Sequence, residues 1–434
     1  MDKKDVFMIE IISFFSYFYV NPIFMRKLFS VLLVLSCITL AAYSQSATVS
    51  DEFEQSYQVS NQLTKGALVK KDYKEAEKQI ISFRDKFKGM SADTQRKYAV
   101  IIPHQYYNLS CINALSANKN KAILYLDSAL QNGYSDYKHT LADTDFAGLR
   151  NEEKFKVVLQ KIREKGDYNY ILQKSGDYNS NDKRTPLVFT YQGANSPELV
   201  KFRKQYKLDS VSGNGDEISK IKNLLLWVHN VVRHDGNSYN PNKKNAVDLI
   251  EICKKEDRGV NCRMMATVLK DVYQAMGFKS RTVTCMPKDT TDFDCHVINV
   301  VWSKTLDKWV WMDPTFNAYV SDDKGNLLSI EEVRAKLILG EPLVLNDNAN
   351  WNNKQKETKE HYLDYYMSKN LYWISCNAKN EWDIETPGAG KALIDGVNLY
   401  PGQFTTLTGD KEVEETRVSY ATNNAAYFWA KPGL

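Results

Sequence analysis

The run Gly259-Val260-Asn261-Cys262-Arg263-Met264-Met265-Ala266 opens a helical pattern at a cysteine. Met265, Leu269, Val272 and Met276 follow on the Cys262 face, and Gly277 closes the run. A thiol at a helix N-terminus sits at the positive end of the macrodipole, which favours thiolate over thiol. A single cysteine on an apolar stripe is more often a small buried hydrophobe. The residues downstream therefore decide between the two readings.

Asp294-Cys295-His296-Val297-Ile298-Asn299-Val300-Val301-Trp302 predicts a strand beginning at a histidine. Lys308-Trp309-Val310-Trp311-Met312-Asp313-Pro314-Thr315 predicts a strand that ends at an aspartate and is stopped by Pro314. Ser303–Asp307 between them is a polar turn, so the two strands predict an antiparallel hairpin. The indices of His296 and Asp313 have an odd sum centred on Lys304/Thr305. That puts both side chains on one face, directly opposite or one diagonal step apart. An imidazole flanked by a carboxylate on a rigid sheet is oriented and basic. Taken singly, a strand-end His is a surface residue and an Asp before Pro is turn chemistry. Together, and downstream of a helix-opening cysteine, the three point to a nucleophilic site.

The succession resembles the transglutaminase-like superfamily. The residues that carry the resemblance are a helix containing Trp227, Asn261-Cys262 opening a second helix, and Gly277-Phe278 leading into a strand. Cys295-His296 then opens the next strand and Trp311-Met312-Asp313-Pro314-Thr315 ends another. The similarity runs from about Asp216 to Leu345. It implies a papain-like α+β core in which a nucleophile-bearing helix packs on an antiparallel sheet. It also implies Cys262 as nucleophile, His296 as general base then acid, and Asp313 as the orienting partner. Two features depart from the family: Arg263-Met264-Met265, where an aromatic or acidic residue is common, and Cys295, which abuts the histidine. The second oxyanion donor, beside the Cys262 N–H, stays open among Asn261, Asn237 and Tyr239.

At 434 residues the chain is too long for one core. Residues 1–44 read as a signal segment whose true start is Met25. Arg26 and Lys27 supply its charge, Leu28–Leu40 its apolar stretch and Ala42-Tyr43-Ser44 its cleavage site. The expectation is an exported bacterial protein, periplasmic or secreted. The alternatives are an N-terminal anchor or an envelope lipoprotein lipidated at Cys37. Residues 45–165 predict helical hairpins that resemble tetratricopeptide repeats, with small residues at Ala76 and Ala122 and the tail Asp143-Thr144-Asp145-Phe146-Ala147-Gly148-Leu149-Arg150. Gly166-Asp167-Tyr168-Asn169 and Gly176-Asp177-Tyr178-Asn179 read as a connector. The transglutaminase-like domain follows at 182–348. A C-terminal, mostly β extension is expected at 349–434. It holds a helix around Lys354–Ser368 and strand candidates at Leu371–Cys376, Phe404–Leu407, Arg417–Tyr420 and Ala426–Trp429. Its aromatic residues, Trp351, Trp373, Trp382 and Trp429, read first as a small core and second as a stacking surface. The predicted fold class is thus α+β, with helical hairpins, a papain-like centre and a β-rich tail.

The net charge of +4, from 57 basic and 53 acidic residues, supplies no phosphate-binding stripe, so no nucleic-acid partner is expected. No Gly-rich phosphate loop appears, no cofactor motif and no metal motif. His229 and His234 lie five residues apart, which is not a one-face ligand spacing, and read as structural. Cys111 reads as a buried, inert thiol. The expected function is cysteine-dependent acyl transfer on an amide or peptide bond, with hydrolysis favoured over cross-linking. The alternative is a catalytically silent binding module. A peptide or protein substrate is expected, with a protein partner on the helical hairpins. Nothing in the sequence fixes an oligomeric state.

Overall fold

A computed structural model describes residues 52–184, 187–388, 391–404 and 411–433. The expected signal segment lies outside the described residues, as do 405–407 of one strand candidate. The chain divides into two compact units, Met1–Ile162 and Arg163–Leu434.

The first unit is helical: α1 (52–69), α2 (Tyr73–Lys88), α3 (Ile101–Leu115) and α4 (Lys119–Gln131), with α5 (Glu153–Gly166) carrying the chain into the second unit. Asp72 caps α2 by accepting from the Glu75 N–H, satisfying one of the orphan donors of the first turn. Pro103 falls in the first turn of α3, where a missing N–H costs nothing. Ala76 and Ala122 are fully buried where α2 and α4 cross α3. Ser110 Oγ reaches the Ala122 carbonyl at 2.7 Å, so the backbones approach closely.

The second unit is built on a seven-stranded sheet. Its strands are β1 (Ser280–Met286), β2 (His296–Ser303), β3 (Lys308–Met312), β4 (Trp373–Asn377), β5 (Ile394–Leu399), β6 (Lys411–Val413) and β7 (Arg417–Thr422). The spatial order is β6-β7-β5-β4-β1-β2-β3. All pairs are antiparallel except β5–β7. Helices α6 (Glu217–Val231), α7 (Ala246–Glu256) and α8 (Cys262–Ala275) share one core with Val301, Val310 and Met312. Alternate residues of the same strands, among them Ile298, Val300, Trp309 and Trp311, enter a second core with the C-terminal segment. Every residue of β2 is buried, as two covered faces require.

Two expectations about the domains are corrected here. The 349–434 segment is not a separate module: β4 pairs directly with β1, Cys376 opposite Val283, and β5 follows onto β4. A sheet edge left bare by the first three strands presents unpaired N–H and C=O groups, and β4 covers it. Nor is 166–181 a loose connector. It forms the helix Tyr168–Gln173, whose Leu172 is in the core, and Ser175 takes a 2.7 Å hydrogen bond from Arg334 Nη2. Two local expectations also fail. Ala425–Phe428 is a helical turn capped by Asn424 rather than a strand, the cap outweighing aromatic β-propensity. The helix around 354–368 becomes a short α-turn, Lys359–His361, running into a π-helical segment, Tyr362–Met367.

Candidate active site

The helix α8 begins at Cys262 because Asn261 caps it, its Oδ1 accepting from the Met264 N–H at 3.1 Å. It ends where Gly277, at φ +87°, takes the left-handed conformation that closes a helix, with the Phe278 N–H on the Tyr273 carbonyl at 2.9 Å. Between those ends every residue from Met264 to Ala275 is buried, and the helix packs on β1 and β2. Cys262 is thereby fixed at the mouth of a rigid element.

The hairpin forms with Ser303 opposite Lys308 and Asn299 opposite Met312. Continuing that register by one step sets Asp313 across from Ile298, one diagonal step from His296 on the same face. His296 Nε2 lies 2.7 Å from Asp313 Oδ2, with both side chains buried. Tyr362 donates its hydroxyl to the same Oδ2 at 2.6 Å, and the Thr315 N–H reaches Oδ1 at 2.8 Å. The carboxylate is thus held from three directions. Tyr362 was not legible in the sequence: it sits in the π-helical segment, 49 residues beyond Asp313. Phe316 and Tyr366 close around the imidazole, with centroids 5.6 and 5.2 Å away.

With Nε2 turned to Asp313, the Nδ1 edge of His296 is left for Cys262. Burial alone pushes the Cys262 thiol up. Hydrogen bonds from His234 and His296, the His296 charge and the Val297 N–H outweigh it and bring the thiol down to about 6. Burial works against a charged His296, but Asp313 and the Cys262 sulfur raise it to about 10. Both shifts favour a thiolate–imidazolium pair. Among the described residues the other cysteines move the opposite way. Burial raises Cys295, Cys253 and Cys285, and it raises Cys376 to about 11.

Two of the three candidate oxyanion donors, Asn261 and Tyr239, already have side-chain partners. Asn261 spends its Nδ2 on Asn240 Oδ1 at 2.7 Å. Tyr239 is 62% exposed and donates to Glu256, and Asn237 is exposed on a turn held by Asp235. Arg263 pairs with Glu385 at 2.9 Å and reaches Thr284 Oγ1 at 2.9 Å, a bridge between α8 and the sheet.

Of the two histidines read as structural, His229 is buried, bridging the Pro314 carbonyl and Asn350 Oδ1 at 3.0 Å each. It ties the turn after Asp313 to the segment carrying Trp351. His234 is different: its backbone is bridged to Val260, two residues before the nucleophile, and its side chain helps to hold the Cys262 thiol low. The signal for it is Gly259: a Cβ there would meet Asp235 Cβ at 2.6 Å, so only glycine lets the 233–235 segment lie against the approach to Cys262. A bridge between His234 and Val260 results.

One group of possible metal ligands occurs among the described residues: Cys111, Asp143 and Asp145, with ligand atoms within 4.8 Å of one another. Asp143 already accepts from Tyr107 at 2.6 Å, from Cys111 at 3.6 Å and from the Asp145 N–H at 2.9 Å. The cluster is therefore accounted for as a satisfied helix-end network.

Residues 204–314 match the family model of the Transglutaminase-like superfamily, a span that includes His234, Cys262, His296 and Asp313. No curated protein matches the chain. Among solved structures, a protein from Cytophaga hutchinsonii proposed to be a cysteine protease aligns at 18% identity with a TM-score of 0.23, over 39% of this chain and 58% of its own length.

Proposed function

We propose that this chain is a cysteine-dependent acyl-transfer enzyme acting on amide or peptide bonds, with hydrolysis the main outcome. The observation that carries the reading is a helix-start thiol drawn down to about 6 beside an imidazole that is locked to a buried carboxylate. The transglutaminase-like domain at 204–314 supports it.

In this reading the Cys262 thiolate attacks the carbonyl carbon, forming the C–S bond and a tetrahedral oxyanion. Collapse breaks the C–N bond, and the departing amine takes the proton held on His296. Water then attacks the thioester while His296 accepts its proton, and collapse breaks the C–S bond, releasing the acid and restoring the thiolate–imidazolium pair. An amine in place of water would give cross-linking by the same steps. Asp313 holds the ring orientation and stabilises the imidazolium. Tyr362 fixes Asp313.

The test is labelling of the full chain by an amide-mimicking, thiol-reactive probe followed by mapping of the labelled residue. Modification at Cys262, lost in Cys262→Ala, is expected. Absence of any Cys262 labelling would favour the silent binding module. Export is part of the proposal, resting on the Arg26–Ser44 pattern. N-terminal sequencing should find a mature start near Gln45. No described helix is long and apolar enough to cross a membrane.

A further inference from the structure

Two imidazoles act on the Cys262 thiol, and their own hydrogen bonds give them different proton positions. His296 commits Nε2 to Asp313, leaving Nδ1 to exchange a proton with the sulfur. His234 has the reverse arrangement. Its Nδ1 accepts from the indole N–H of Trp351 at 3.0 Å. An indole nitrogen can only donate, so Nδ1 must be the bare nitrogen and the ring proton must be on Nε2. The edge left to meet Cys262 is therefore an N–H donor with no lone pair to offer.

The ring is held there by more than one contact. The His234 N–H donates to Asn352 Oδ1 at 2.7 Å, and Asn352 Nδ2 returns a bond to the His234 carbonyl at 2.9 Å. The bridge to Val260 places the backbone of His234 alongside the residue two positions before the nucleophile. The N–H of Cys262 itself, at the first position of α8, makes no hydrogen bond among the described residues.

We propose that His234 is the second oxyanion donor: its Nε2–H, with the tautomer fixed by Trp351, and the Cys262 N–H together hold the oxygen of the tetrahedral intermediate. The inference rests on the reading of Cys262 as nucleophile. His234 cannot double as a base, because its one basic nitrogen is occupied. Trp351 is a positioning residue, acting only through the ring it orients.

The test compares two reactions of the same sulfur. p-Nitrophenyl acetate acylates a thiolate through a tetrahedral oxyanion, whereas chloroacetamide alkylates it by direct displacement with no oxyanion. Both are run on the full chain at a pH well above the thiol range, so that thiolate content is equal. His234→Ala is expected to slow acylation by roughly 10²–10³-fold, the usual cost of one oxyanion donor, and to leave alkylation within about twofold. His234→Gln, which keeps a donor, should recover part of the loss. Trp351→Phe, which frees the tautomer, should give a smaller drop in acylation alone. Equal loss in both reactions would overturn the proposal, since it would mean a damaged sulfur site; so would unchanged acylation in His234→Ala. Failure of the nucleophile assignment would look different, because acylation and alkylation would then both survive in Cys262→Ala.

Discussion

In the proposed site the β2–β3 hairpin and the His234–Trp351 pair act on the same sulfur, yet they are built in opposite ways. His296 and Asp313 are 17 residues apart and joined by one turn, so strand alternation alone sets them on one face. His234 and Trp351 are 117 residues apart and meet only because the chain returns after completing the helix and sheet between them. The first is local geometry and travels with the hairpin. The second depends on the whole unit being closed, which makes it the more fragile half of the site.

Removing the closing segment should therefore have the largest effect. A chain ending at residue 348 would leave the β1 edge unpaired and remove Trp351, Tyr362 and all four strands, β4 to β7, that continue the sheet. It should fail to give a cooperatively folding second unit by circular dichroism and thermal melting. A stable, probe-reactive truncation would show instead that 349–434 is a dispensable extension.

Within the intact fold, Cys262→Ala and His296→Ala should each lower turnover by about 10⁶-fold, as removal of either member of a nucleophile–base couple does elsewhere. Cys295→Ser should be nearly silent, because burial raises that thiol while its neighbour's imidazole serves Cys262. Loss of labelling in Cys295→Ser with retention in Cys262→Ala would reverse the assignment.

Asp313→Asn keeps the shape of the hairpin contact but not its charge, and should cost roughly 10⁴-fold in turnover. Its melting curve should change less than its rate. Tyr362→Phe removes only one of the hydrogen bonds to Asp313. It should reduce turnover about tenfold and stability by about 1.5–3 kcal/mol in denaturant titrations, the range for a bond to a charged acceptor. An effect as large as that of Asp313→Asn would mean that the π-helical segment, rather than the hairpin, fixes the carboxylate.

The contrast also explains what could be read from the sequence. Asn261-Cys262, Gly277 and the odd spacing of His296 and Asp313 are signals of local geometry, and the helix, its closure and the shared face of His296 and Asp313 follow from them, while the register itself was left open between two alternatives. Helices α2 to α4, with Ala76 and Ala122 buried at their crossings, were legible for the same reason. The strand at 371–376 was also visible, but its partner was not: alternation tells which face a strand buries, not which edge it joins. The separation of 349–434 from the sheet was the error that resulted. His234 was read as structural because spacing to His229 tests only a shared helix face, and Val232 already leaves the helix. Tyr362 had no signal at all, since a π-helical turn re-aims a side chain that an α-helical reading would point elsewhere.

The most direct measurement is the rate of chloroacetamide alkylation at Cys262 against pH in the full chain, with the site followed by mass spectrometry. The expected curve rises as the thiol ionises at about 6 and stays high beyond it, and in His296→Ala the midpoint moves upward as the imidazole partner is lost. A wild-type midpoint in the ordinary thiol range of about 8.5, unchanged by His296→Ala, would contradict the thiolate–imidazolium pair on which the proposed chemistry depends.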